Sequence, residues 1–258
     1  MKPFFKTHLL MSLIVLSSLA VAYAGEKSER PGWRLTFQDD FNGSALDLGK
    51  WTPADPWGRE RNHELQAYVK DVFEVRDGVL HIKAERRDAL YDGKQRTYTS
   101  GMMSTHDKFA QGYGRFEIRC KVPSGKGLWP AFWLLPEPLA WPPEIDVLEI
   151  LGHQPNKVYM THHFRTQQRE HKSHGGSWAG ADFSADFHEF AIEWSPDAII
   201  WFVDGVERFR SADSIPRAKM YLLVNLAVGG DWPGAPDEKT KFPATFDVDY
   251  VRVYEKAP

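Results

Sequence analysis

Three carboxylates fall close together in the segment Trp141-Pro142-Pro143-Glu144-Ile145-Asp146-Val147-Leu148-Glu149-Ile150. The residues between them are β-formers, and the flanks are too apolar for the polar side of a surface strand. In a regular strand Glu144, Asp146 and Leu148 share one face, and Glu149 turns to the other. A lone Glu on the core side is costly. One extra residue, a β-bulge at Val147-Leu148, returns Glu149 to the face of the other two acids. Three acids held so close in an aromatic-walled groove cannot all ionise; like charges raise one pKa and leave the others low. An ionised nucleophile beside a protonated acid is the equipment of glycosidic-bond hydrolysis. With the bulge, the two Glu stand about 13 Å apart at Cα on a flat strand. On a concave sheet their side chains can lean together to about 5–5.5 Å, the separation of retaining chemistry. Separation alone leaves inverting chemistry open. A Ca²⁺ cluster is the non-catalytic alternative, since carboxylates at this spacing also suit a hard cation.

The elements that must position these acids are strands. The chain has 258 residues, 42% hydrophobic and 26% charged, with a formal charge of -3. Such apolar content excludes a disordered chain and fits one large globular domain, or at most two small ones. The near-neutral charge argues against a nucleic-acid partner, which selects for a basic face. Ten Trp, nine Tyr and sixteen Phe exceed the needs of an ordinary core and place some rings in an exposed groove. Gly and Pro punctuate the chain, with short β-rich runs between them. Tyr113–Val122 alternates strictly: Phe116, Ile118, Cys120 and Val122 face one way, and Arg115, Glu117, Arg119 and Lys121 the other, as in a half-buried strand. Val79–Ala84, His188–Trp194, Ile199–Val203, Tyr221–Val228 and Phe246–Tyr254 are further strands. Asp77-Gly78 and Asp204-Gly205 are hairpin turns, and single helical turns are expected near Ser211–Ala218. Many short antiparallel strands in one domain make an all-β sandwich or jelly roll.

Residues 1–24 read as a signal peptide rather than part of the fold. Lys2 and Lys6 open it, an apolar run follows from Leu9, and Ala22-Tyr23-Ala24 forms a cleavage site. The implied destination is the periplasm or the medium, with no membrane attachment after cleavage. Residues 25–32 are a short lead-in, and 33–256 form the domain. The single Cys120 makes no internal disulfide and serves as a small core residue. Nothing demands more than a monomer.

The acidic segment resembles the E-x-D-x-x-E signature of glycoside hydrolase family 16 in its laminarinase-like form. Asn62-His63-Glu64-Leu65-Gln66-Ala67-Tyr68, Tyr113-Gly114-Arg115-Phe116-Glu117 and Gly127-Leu128-Trp129-Pro130-Ala131-Phe132-Trp133 match the same family in order. So do Asn225–Gly234 and Val248–Tyr254, and the matches run from about Trp33 to Tyr254. The resemblance implies a concanavalin-like β-sandwich jelly roll with substrate lying across its concave sheet. It implies an endo-acting enzyme on β-1,3 or mixed β-1,3/1,4 glucan, with Glu144 as nucleophile, Glu149 as general acid/base and Asp146 between them. Other polysaccharides, transglycosylation, or non-catalytic glucan binding on the same scaffold are the alternatives. Retention of all three acids argues against the last.

By the same resemblance Trp129, Trp133, Trp141 and Trp232 contact sugar, whose apolar faces stack on aromatic rings, and Asn62, Glu64, His163 and Asn225 bind its hydroxyls. Trp194 and Trp201, in alternating strands outside these motifs, belong to the core. His162 faces away from His163, and together with His171 and His174 the spacing matches no common zinc pattern. No cofactor is needed for catalysis. A structural Ca²⁺ is implied at Asp249, the Gly78 carbonyl and a group near Asp40. Two departures stand out. Thr99-Ser100-Gly101-Met102-Met103 lacks the Arg that laminarinase-like relatives often carry after this strand, and Gln167–Gly176 is rich in His, Lys, Arg and Gln. Such a loop suits a wall of the groove or a substituted, anionic polymer.

Overall fold

The computed structural model describes residues 30–137 and 139–258, so the signal-peptide segment and most of the lead-in lie outside the described residues. Sixteen β-strands and no helix form among the described residues. They build two sheets. The larger runs, in spatial order, β14 (Val206–Ser211), β13 (Ile199–Val203), β12 (His188–Trp194), β7 (Gly114–Lys121), β16 (Ala244–Lys256), β4 (Val79–Tyr91), β5 (Lys94–Ser100) and β2 (Gln66–Tyr68). Two further strands flank this path, β1 (Trp33–Asp39) on β16 and β3 (Phe73–Arg76) on β4. The smaller sheet is β11 (His171–Ala179), β10 (Lys157–Arg165), β9 (Glu144–Ile150), β8 (Leu128–Pro136), β15 (Met220–Val228) and β6 (Met102–Ser104). Strands distant in sequence pair repeatedly, β16 with β1, β4 and β7 and β15 with β6 and β8. That connectivity is the jelly-roll sandwich expected from the strand pattern.

Period-two alternation decides what each sheet gives to the core. From the smaller sheet come Met220, Leu222, Val224, Leu226 and Val228 of β15 with Leu128, Phe132 and Leu134 of β8. Facing them are Phe116, Ile118 and Cys120 of β7 and Phe190, Ile192 and Trp194 of β12, all buried. Trp194 and Trp201 lie in this core, as their alternating strands require. The outer face of β15 is buried too. There Tyr221 and Leu223 join Met102 and Leu135 in a second cluster, on which Trp57, Tyr68 and Trp133 pack.

The turns Asp77-Gly78 and Asp204-Gly205 link β3 to β4 and β13 to β14 with all four φ positive, at 54 and 74, then 49 and 74 degrees. Gly fits the second position because it carries no Cβ to oppose that backbone. Two details differ from expectation. Arg115 and Glu117 are only 2% and 1% exposed, because partners reach over them: Arg115 bonds Glu117 at 2.8 Å and Glu189 at 2.7 Å, and the Tyr254 hydroxyl donates to Glu117 at 3.1 Å. β7 is therefore buried on both faces from Gly114 to Ile118, with the Arg115 and Glu117 charges neutralised in place. Ser211–Ala218 forms no helical turn; the stretch is irregular, and its Pro216 carbonyl accepts the Trp194 indole N–H at 3.1 Å.

Candidate active site

β9 is where alternation breaks. Against β8, Ala131 pairs with Glu149, Phe132 with Leu148 and Trp133 with Asp146, so Val147 is the extra residue. The same slip appears against β10, where Tyr159 faces Glu149 and Thr161 faces Asp146. Val147 and Leu148 consequently both enter the core, and Glu149 emerges beside Glu144 and Asp146. The bulge expected at Val147-Leu148 is present. Its backbone is tied across the core by Trp201, whose indole N–H donates to the Asp146 carbonyl at 2.8 Å.

The outward residues of the smaller sheet floor a cleft of about 700 Å³. Trp129, Ala131 and Trp133 come from β8, Thr161 and His163 from β10, and Asn225 and Ala227 from β15. All eight sugar-contact candidates line it together with the three acids. Trp141 and Trp232 stand 47% and 40% exposed at its rim, and Trp232 packs edge-on against Trp129 and Tyr159. Asn225 is a satisfied buried amide that also faces the cleft: it accepts from Trp133 Nε1 at 2.8 Å and donates to the Tyr68 hydroxyl at 3.1 Å. Glu64 is buried and accepts from Asn62, Gln66 and Tyr68, so part of its bonding capacity serves the loop.

Each catalytic candidate has its own surroundings. Trp141 Nε1–H donates to Glu144 at 3.1 Å, and Trp129 Nε1–H donates to Glu149 at 3.2 Å. His163 Nε2 lies 3.4 Å from Asp146 Oδ2 and 3.6 Å from Glu144 Oε1. Burial pushes Glu149 well above the usual carboxylate range, and the charges of Asp146 and Glu144 push it further. Glu144 is raised as well, first by burial and then by Asp146, but the Trp141 N–H and the Arg61 charge pull it back. Asp146 is raised by burial, with His163 opposing. The three acids titrate as a unit. Glu149 has two like charges beside it, whereas the Arg61 charge favours the ionised form of Glu144. Such a site can hold one protonated carboxyl and one carboxylate on the same side of a sugar chain.

Several cleft residues were not foreseen. Trp57, Arg59, Arg61, Tyr68, Met102 and Thr161 line it. Trp57 stacks on Trp133 at 6.2 Å and carries the Arg61 guanidinium over its face at 4.4 Å. Arg61 also pairs with Asp55 at 3.1 Å and reaches Met102 Sδ at 4.0 Å. A guanidinium from the loop before β2 thus stands against Met102, the residue that follows Thr99-Ser100-Gly101. The adjoining Asn62-His63-Glu64 match was the one available signal, since that loop has no periodicity of its own.

The four histidines do not converge. His162 is in the core, His163 bonds His171 at 3.0 Å, and His174 bonds Ser211 and Asp213. At the calcium candidates, strand register carries Asp40, Gly78 and Asp249 toward one corner: Asp39 pairs with Val251, Val248 with Leu80, and Asp249 sits at a bulge of β16. Both carboxylates there are already neutralised, Asp40 by Arg252 and Asp249 by Arg119. The set as it stands fits a calcium ion poorly, because the ion would have to displace two guanidinium groups.

Comparison with known proteins agrees with this geometry. Residues 61–252 match the model of glycosyl hydrolases family 16. The chain is 37% identical to a beta-glucanase of Rhodothermus marinus over 96% of its own length and 94% of that protein's. It is 36% identical to glucan endo-1,3-beta-glucosidase A1 of Niallia circulans, covering 87% of this chain but only 38% of that relative. The laminarinase catalytic domain of Thermotoga maritima MSB8 superposes with a TM-score of 0.79 at 34% identity, over 88% of this chain and 99% of that one. Both the bulged acidic strand and these likenesses lead to one statement: the chain belongs to glycosyl hydrolase family 16.

Proposed function

We propose that this protein is an exported, retaining endo-β-glycanase that cuts β-1,3 or mixed β-1,3/1,4 glucan. The observation that carries the reading is the bulge at Val147, which sets Glu144, Asp146 and Glu149 together on the floor of a Trp-lined cleft. In the first step the Glu144 carboxylate attacks the anomeric carbon while the bond to the leaving sugar breaks and its oxygen takes the Glu149 proton. A glycosyl ester on Glu144 results. In the second step Glu149, now a carboxylate, removes a proton from water whose oxygen attacks that carbon, releasing Glu144 and restoring both groups. Asp146 lies between, and its charge helps Glu149 keep its proton. The asymmetry of the surroundings supports this order of roles: Arg61 and Trp141 favour a charged Glu144.

Relatives described as an endo-1,3-1,4-beta-glycanase and a glucan endo-1,3-beta-glucosidase support the glucan assignment. The test is a panel of laminarin, barley glucan, agarose, carrageenan and an acidic exopolysaccharide, read by reducing ends and by the anomer first released. Glucan cleavage with β-anomer appearing first is expected. Cleavage of a galactan alone would move the substrate, and α-anomer appearing first would overturn the retaining mechanism. Glu144→Gln should lose several orders of magnitude in rate with the fold intact. Export follows from residues 1–24 and is checked by finding the mature N-terminus after Ala24. Because guanidinium groups already hold Asp40 and Asp249, chelation should leave the melting temperature unchanged, and a lowered value would restore the calcium ion.

A further inference from the structure

Two ring nitrogens reach the acids from the β10 side of the cleft: Trp141 Nε1–H donates to Glu144, and His163 Nε2 lies near Asp146. Both side chains rest on a third residue, His171, the first residue of β11. The His171 ring lies 4.6 Å from the Trp141 ring and 5.3 Å from the His163 ring, nearly parallel to the latter at 17°. His171 Nε2 is 3.0 Å from His163 Nδ1. The β10–β11 hairpin makes this meeting, since Arg165 pairs with His171 and His163 with Ser173. The Arg165 guanidinium closes it by donating to the Trp141 and Arg169 carbonyls.

One hydrogen occupies the contact between the two rings, and its owner decides what His163 shows to the acids. If a neutral His163 owns it, the other ring nitrogen presents a lone pair to Asp146 and Glu144, which are themselves rich in lone pairs. If His171 owns it, His163 Nε2 carries the hydrogen and faces Asp146. That second arrangement meets a need on the page. Asp146 is 3% exposed, and its Oδ2 has no hydrogen-bond partner among the described residues; His163 Nε2, at 3.4 Å, is placed to close on it.

We propose that His171 is a positioning residue for the carboxylates: its Nε2–H fixes His163 in the tautomer that directs Nε2–H at Asp146, and its ring buttresses Trp141, whose N–H holds Glu144. This rests on the reading of Glu144, Asp146 and Glu149 as the hydrolytic acids. The charged and titratable groups around His171 are few. β10 supplies His163 and Arg165, the Trp141 segment supplies Glu144 behind the Trp141 and His163 rings, and on its own hairpin arm Glu170 and Lys172 pair with each other at 3.6 Å while Arg169 lies in the turn. His171 itself is held below the usual imidazole range, by desolvation first and then by His163 and Arg165, which favours the neutral donor form.

The test uses the full chain and two variants. His171→Phe keeps a ring against Trp141 but has no N–H, whereas His171→Gln returns one. Nitrogen-15 NMR of the imidazoles reads the His163 tautomer without reference to activity. In the wild type His163 should be protonated at Nε2. In His171→Phe that preference should be lost, kcat on the cleaved glucan should fall about ten-fold, the worth of one hydrogen bond, and KM should stay within about two-fold. The acid limb of the pH profile should move to higher pH, because Asp146 and Glu144 lose a donor to their charged forms. His171→Gln should restore most of the rate and the tautomer. An unchanged tautomer and rate in His171→Phe would overturn the proposal, and equal impairment in both variants would reduce His171 to packing. A wild type that cleaves none of the panel polysaccharides would sink the hydrolase reading instead, leaving the NMR measurement to decide the tautomer.

Discussion

His162 offers the sharpest physical test of the fold around this site. It follows the alternation of β10, so it points away from the cleft and into the protein, 0% exposed, with no hydrogen-bond partner for either ring nitrogen among the described residues. Burial pushes its pKa down to about 4, with the charges of His163 and His174 adding to the effect. An unfolded histidine titrates near 6.5. The native state therefore binds fewer protons than the unfolded state, and stability is present above about pH 6.5 and lost as pH falls through about 4. The gap is roughly 2.5 pH units at about 1.4 kcal/mol each, so acidification to pH 4 should cost roughly 3 kcal/mol through this residue alone. Replacing it with Leu removes the titration and the unpaired nitrogens together. Melting curves of wild type and His162→Leu from pH 7.5 to 4 isolate it, because every other titrating group is common to both chains. At about 2–4 °C per kcal/mol for a domain of this size, the variant should gain roughly 6–12 °C on the wild type across that range. Parallel curves would refute the account and show that the imidazole has a partner, such as water, in solution.

The acids should show the opposite sign. Glu149 is raised by burial, Asp146 and Glu144, so its stabilising contribution is complete below about pH 4.3 and lost as pH rises through the native value; Glu149→Gln should be inactive yet gain about 1.4 kcal/mol per pH unit over that interval in urea titrations. Trp201→Phe deletes the N–H that holds the Asp146 carbonyl. It should cost about 1–3 kcal/mol for an unsatisfied buried carbonyl and lower kcat more than KM changes, and full activity would separate the bulge from its tether. Arg61→Met removes the cation that favours a charged Glu144, so the acid limb of the kcat/KM profile should move to higher pH, and an unmoved limb would exclude that role.

The bulge was legible because three acids on apolar flanks leave few places for Glu149 to go, and the sandwich because its strands keep period two. The limits of that reading have physical causes. Alternation placed Arg115 and Glu117 in water, but Tyr254 from β16 and Glu189 from β12 come from more than seventy residues away to cover them. Arg61 carries no pattern that distinguishes it from an exposed loop cation until Trp57 and Met102 are folded against it. His171 lay in a segment notable only for its composition, and the hairpin register is what turns one of its histidines toward His163.

These unforeseen residues bear on the central chemical problem. Glu144 and Glu149 are the same amino acid on the same strand, so the strand alone cannot assign one to attack and the other to donate a proton. Each receives one indole N–H at nearly equal length. The difference lies beyond the motif, in the Arg61 charge that acts on Glu144 and in the two like charges that act on Glu149. A family signature locates the carboxylates, whereas in the mechanism proposed above their division of labour rests on a guanidinium from an aperiodic loop and on the His163–His171 pair that holds the acids from the opposite wall. Replacing those supports should redistribute protons among the acids before it disturbs the fold, because none of them belongs to the inter-sheet core.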